Sequence, residues 1–78
     1  MSIQNQIIQA IAEQLGIDDS IITPEKSLRV DLGADSLDEI ELVMTLEDMF
    51  GLELSDEECE ACRTVQQIID LISKRRDL

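Results

Sequence analysis

Wherever the apolar residues of this 78-residue chain repeat, they repeat at the spacing of an α-helix, and that period confines the fold to helices packed face to face. Ile3, Ile7, Ile8, Ile11 and Leu15 form a first stripe, which Gly16 ends in the position of a C-cap. A second helix is expected from about Ser36 to Phe50, stopped by Gly51. Ser55-Asp56-Glu57-Glu58 and Thr64-Val65-Gln66-Gln67 each carry the pattern of a capping box, in which a hydroxyl and a Glu or Gln three positions later satisfy backbone N–H groups reciprocally. They open a short third helix and a fourth, whose apolar side is Val65, Ile68, Ile69, Leu71 and Ile72. The expected fold class is therefore all-α: a small four-helix bundle with a long loop between helices one and two and a short third helix. A chain of this length has room for one core, so residues 1–78 are read as a single domain. Phe50 is its one aromatic residue, which leaves Ile, Leu and Val to build that core.

Residues 17 to 35 hold Pro24, Gly33 and scattered Ile21, Ile22, Leu28, Val30 and Leu32 without a sustained period. A loop of this length in a compact domain is commonly functional, and here it delivers Ser36 to the first turn of the second helix. Gly33 allows backbone conformations that side chains forbid. A serine so placed has two readings. Ser36-Leu37-Asp38-Glu39 is itself a capping box, in which the hydroxyl only satisfies backbone donors. Alternatively, the free N–H groups and positive dipole end of the helix stabilise an anion esterified to Ser36.

The net charge of -12 is unevenly spread, because no Lys or Arg occurs between Val30 and Cys62 whereas twelve Asp and Glu do. Binding to nucleic acid or to an anionic membrane is disfavoured, and no apolar run exceeds three residues. The opening residues lack the basic and apolar regions of a secretion signal, so the chain reads as cytoplasmic, and its self-repulsion favours a monomer. Lys74, Arg75 and Arg76 crowd the end of the fourth helix, where they complement its dipole. The second helix has two apolar faces at 100° per residue. Leu42, Val43, Leu46 and Phe50 lie on one, and Leu37, Ile40 and Met44 lie nearly opposite, beside Glu41, Glu47 and Asp48. One helix of so small a domain cannot bury both in its own core. Either the helix is covered on both sides or the second face, ringed by acids that steer basic partners, is a docking surface.

Cys59 and Cys62 invite a redox or metal reading. Asp56, Glu57, Glu58 and Glu60 surround them with negative charge, which opposes thiolate formation, and the chain has no His to complete a zinc site. No Asp-x-Asp-x-Asp-Gly calcium loop is present either, so no metal site is expected. The pair reads as reduced, small apolar side chains on one helical face, with redox regulation as the other reading.

The run Asp31-Leu32-Gly33-Ala34-Asp35-Ser36-Leu37-Asp38-Glu39-Ile40-Glu41-Leu42-Val43-Met44 closely resembles the signature of acyl carrier proteins. The resemblance extends from the first helix to Ile72, includes Thr64-Val65, and is nearest to the free-standing bacterial type II fatty-acid carriers. It implies that Ser36 receives 4′-phosphopantetheine from coenzyme A through a phosphopantetheinyl transferase, that the arm's thiol carries acyl chains, and that the protein catalyses nothing. It implies further that Asp35 helps hold the transferase's Mg²⁺, the local alternative being a helix N-cap. Leu37, Asp38, Ile40, Glu41, Met44, Glu47 and Asp48 would meet the basic docking patches of fatty-acid synthesis enzymes and acyltransferases. Leu46, Phe50, Leu54, Cys59, Cys62 and Ile68 are the residues expected around a bound acyl chain. The cysteines, Arg29 and Glu39 depart from the family pattern. Glu39 either narrows the pocket mouth or turns to solvent as a first-turn acid. Two other functions stay open beside fatty-acid carriage: a dedicated carrier for a polyketide, lipid A or aminoacyl pathway, and a small acidic interaction module with no prosthetic group. A thiol oxidoreductase built on Cys59 and Cys62 is the third, disfavoured by the surrounding acids.

Overall fold

The computed structural model describes residues 2–76. Four α-helices follow one another: α1 (Ile3–Leu15), α2 (Ser36–Phe50), α3 (Asp56–Ala61) and α4 (Val65–Arg76). Ser2 caps α1 by accepting the Asn5 N–H at 3.1 Å. Gly16 and Gly51 end α1 and α2 in the left-handed conformation, at φ 68° and 64°. The all-α bundle with a short third helix is thus what the periodicity and caps dictate. A single isolated bridge, Ser27 to Thr64, is the only β pairing among the described residues.

α1 packs against both α2 and α4, whereas α2 and α4 touch at most sparsely. Ile7, Ile11, Leu46, Val65 and Ile72 are the side chains most completely removed from water. They form an aliphatic core, with Leu42, Ile68 and Ile69 beside them. Phe50 stands half-buried at its edge, and the Arg76 guanidinium lies over the ring at 5.7 Å from its centre.

The loop between α1 and α2 carries more order than its sequence suggests. Asp18 accepts the Ser20 N–H at 2.9 Å and starts a 3₁₀ turn over Asp19–Ile21. Ile22, Leu28 and Ala34 then bury themselves in the core. The loop is also stitched to the start of α4, for Leu28 N–H donates to the Arg63 carbonyl at 3.0 Å, and the Lys26 and Pro24 carbonyls accept from Val65 and Gln66 at 3.1 and 2.8 Å. α3 hangs more lightly, held by Arg75. Its Nη1 donates to both carboxylate oxygens of Glu58, at 2.8 and 2.7 Å, and its Nη2 to the Glu53 carbonyl at 3.0 Å. The basic end of α4 therefore acts by named contacts as well as through the dipole.

Candidate functional site

Ser36 is the first residue of α2, and the cap is its neighbour. Asp35, in extended backbone, accepts the Asp38 N–H at 2.8 Å, while the Asp38 carboxylate accepts the Asp35 N–H at 3.2 Å. This corrects the reading in which Ser36 opens the capping box. Of two adjacent residues able to cap, the one with extended backbone takes the role, and Gly33 at φ 75° sets that approach. Among the described residues the exposed Ser36 hydroxyl has no partner, and neither have the amides of Ser36 and Leu37. An alcohol is thus held beside two free N–H groups at the positive end of a 15-residue helix.

The two faces of α2 separate as the wheel requires. Leu42 and Leu46 are buried, Val43 and Phe50 are half-buried, and Leu37, Ile40 and Met44 stay 62, 58 and 59% exposed. That second face stays largely open among the described residues, although Ile40 and Met44 also border the cavity beside Ser36. Its acids are less uniform than their spacing suggests. Asp48 points freely to water, and Asp38 is committed to the cap. Glu41 accepts from the Gln14 amide at 2.6 Å, and Glu47 turns inward to accept the Leu54 N–H at 2.9 Å. Val30, 85% exposed on the preceding loop, is a further apolar residue in the open that periodicity could not reveal, because it belongs to no helix.

Where α2 and α4 stand apart, a cavity of about 830 Å³ opens beside Ser36. Its inner wall is apolar, built by Leu46, Leu54, Ile68, Leu71 and Ile72 with Cys59 and Cys62. Of the residues expected around an acyl chain, all but Phe50 line it. Glu39 also lines it and is half-buried, bound to Arg29 through Nη2 at 2.7 Å and Nε at 3.0 Å. Of the two readings of Glu39, a residue narrowing the pocket and a first-turn acid turned to solvent, the ion pair with Arg29 and the place of both residues in the lining favour the first. Both cysteines are free and half-buried. Burial, with Cys62 and the nearby acids adding to it, pushes the Cys59 thiol up to about 11, and burial likewise raises Cys62.

A family model described as Phosphopantetheine attachment site matches residues 5–72. Over 75 residues the chain is 51% identical to the Acyl carrier protein of Syntrophobacter fumaroxidans (strain DSM 10017 / MPOB), covering 96% of this chain and 93% of the relative. The chain belongs to the acyl carrier protein family.

Acyl carrier proteins are carriers, not enzymes, and their prosthetic group is 4′-phosphopantetheine. The residues present fit that group: a free hydroxyl, two unpaired helix N–H groups and a neighbouring apolar cavity meet at one point. As a carrier the chain works with a phosphopantetheinyl transferase and with synthesis enzymes in general. No helix among the described residues is long and apolar enough to cross a membrane, and no cluster of His, Cys, Asp or Glu among them is placed to hold a metal.

Proposed function

We propose that the chain carries the growing acyl groups of fatty-acid synthesis on 4′-phosphopantetheine esterified to Ser36. The observation that carries this reading is the exposed Ser36 hydroxyl at the open first turn of α2, inside a matching phosphopantetheine attachment region. When bound, the group supplies a thiol that holds acyl chains as thioesters on a flexible arm. The chain's own residues do the rest. The amides of Ser36 and Leu37 would hold the phosphodiester, and Asp35, which fixes the helix start, would offer its carboxylate to the transferase's Mg²⁺. Leu37, Ile40 and Met44 offer apolar contact to a partner, and Asp48, with Glu41 beside it, draws in its basic patch, while Asp38 and Glu47 add charge from their places in the cap and against the Leu54 N–H. Leu46, Leu54, Cys59, Cys62 and Ile68 enclose the acyl tail. Residues 1–78 act in this reading as one monomeric cytoplasmic unit.

The test is the intact mass after incubation with coenzyme A, Mg²⁺ and a broad-specificity phosphopantetheinyl transferase, with Ser36→Ala as control. Gain of one phosphopantetheine in the parent and none in the variant supports attachment at Ser36. A folded apo chain that gains nothing overturns it in favour of an interaction module. Fatty-acid carriage is separated from a dedicated polyketide, lipid A or aminoacyl role by the acyl groups found on protein purified from its own host.

A further inference from the structure

Two oppositely charged residues that line the cavity with Ser36 are bonded to each other. Arg29 sits on the loop and Glu39 one turn into α2, and both line the cavity with Ser36. Ser36 and Glu39, three positions apart, share a helix face, so a chain that leaves Ser36 for the interior passes the Glu39 carboxylate. We propose that the Arg29–Glu39 ion pair is a specificity-determining latch across the cavity mouth, which sets the length above which an apolar acyl chain is buried instead of left in water. The proposal rests on the carrier reading above.

The geometry gives the latch a fixed post and a movable bar. The post is the loop: Leu28 is buried and donates to the Arg63 carbonyl, and Ala34 N–H donates to the Leu28 carbonyl at 2.8 Å. Ser27 and Asp31 add further bonds, with Ser27 N–H donating to the Asp31 carboxylate at 2.7 Å and Val30 N–H to the Ser27 hydroxyl at 3.2 Å. The bar is the Arg29 side chain, 65% exposed and able to swing outward, whereas that of Glu39 is 25% exposed. Leu42, Leu46, Ile68 and Ile72 of the same wall are buried and aliphatic, so a chain that enters past the pair would displace the guanidinium and leave the carboxylate facing methylenes. An ion pair this exposed opposes entry by at most about five-fold. Each added methylene favours burial by about four-fold. The latch therefore moves the threshold by about one methylene, enough to matter only for chains near it.

The experiment loads the parent, Glu39→Gln and the charge swap Arg29→Glu/Glu39→Arg with saturated acyl groups of about four to about fourteen carbons. It reads two quantities for each: the rise in Tm over the unacylated holo form, and the rate of thioester cleavage by hydroxylamine. Glu39→Gln is expected to begin protecting at a chain about one methylene shorter, with cleavage slowed up to about five-fold near the parent's threshold, and the swap to return to the parent's curve. Length-dependent protection that is the same in parent and Glu39→Gln overturns the latch alone. A swap that stays on the Glu39→Gln curve overturns the pairing. Loaded protein with no protection at any length overturns the latch together with acyl burial, and a chain that takes no prosthetic group overturns the carrier reading beneath both.

Discussion

The starts of α2 and α4 use the same local device and end in opposite states. Each has a capping box, Asp35 with Asp38 in one and Thr64 with Gln67 in the other. At α4 every amide of the first turn is taken: Val65 and Gln66 donate to the Lys26 and Pro24 carbonyls, and Gln67 donates to the Thr64 hydroxyl at 3.2 Å. At α2 the box serves Asp35 and Asp38 and leaves Ser36 and Leu37 open. The difference lies in where the long loop goes. It runs antiparallel to the approach to α4 and lends that helix its carbonyls, then turns at Gly33 and, among the described residues, lends no carbonyl to the Ser36 and Leu37 amides. A helix end closed by backbone is a structural joint, and one left open beside a hydroxyl is a place to attach an anion.

The sharpest break of this contrast exchanges the two hydroxyls' roles. Ser36→Ala should abolish prosthetic-group loading outright while changing unfolding free energy by less than about 0.5 kcal/mol, because an exposed, unbonded serine is not the cap. Thr64→Ala should do the reverse, costing about 1 kcal/mol and leaving loading intact. Intact mass and urea titration of both variants decide it. A Ser36→Ala variant as destabilised as Thr64→Ala would make both serine and threonine caps and erase the distinction.

The two sides should also differ in thiol chemistry. Cys62 points its Sγ at the carbonyls of Glu58 and Gln67, on the closed side, and Cys59 is pushed up to about 11 from an ordinary 9.0. At neutral pH the thiolate fraction of Cys59 is then lower by about a hundred-fold, one power of ten for each unit. Iodoacetamide should therefore alkylate the exposed thiol of the arm in the holo protein well before Cys59. Peptide mapping of holo and Ser36→Ala protein over time reads this directly. Rapid alkylation of Cys59 at neutral pH would reopen the redox reading.

How much of this is visible in the residues depends on whether the cause is local. The four helices are, because apolar spacing and caps act within a few positions, and so is the division of α2, where Leu42 and Leu46 go inward and Leu37, Ile40 and Met44 stay out. The choice of Asp35 over Ser36 as cap is not, since both residue types serve and the backbone of the incoming loop decides. Glu47 reads as a surface acid on the wheel, yet the backbone N–H of Leu54, presented by the turn after Gly51, draws it inward. Arg29 and Glu39 stand ten positions apart across a loop, a spacing that no periodic rule links.

Gly33 is where the loop turns away, so it is the next place to test the contrast. Its φ is 75° and a β-carbon there would meet nothing within 4 Å, which makes the obstacle conformational and not steric with neighbours. Gly33→Ala should cost about 1–2 kcal/mol in urea unfolding. Because the strain lies three positions before the start of α2 and reaches that of α4 only through the Ala34–Leu28 and Leu28–Arg63 hydrogen bonds, hydrogen exchange should quicken at the α2 amides before those of α4. Equal quickening at both starts would mean that the loop holds the two helices as one unit.

α3 supplies a third box, and its chemistry predicts a smaller effect of pH. Its hydroxyl is Ser55 and its reciprocal acceptor is Glu58, whose carboxylate accepts the Ser55 N–H at 3.2 Å and also holds Arg75. The Ser55 N–H above all, then Arg75 and the Ser55 hydroxyl, draw the Glu58 carboxyl below its ordinary value of 4.5. A depressed folded value means that the unfolded chain takes up the proton first, so the contribution is complete above 4.5 and fades as pH falls through the folded value. α4 closes with Gln67, which does not titrate. Below pH 4.5 hydrogen exchange should therefore accelerate in α3 and at the Arg75 contact while the start of α4 stays protected. In Glu58→Gln that acceleration should vanish, and α3 should exchange at a rate independent of pH once the intrinsic chemistry is divided out. If α3 and the start of α4 opened together in acid, the Arg75 link would be binding the two into a single cooperative piece, and only α2 would retain a start of its own.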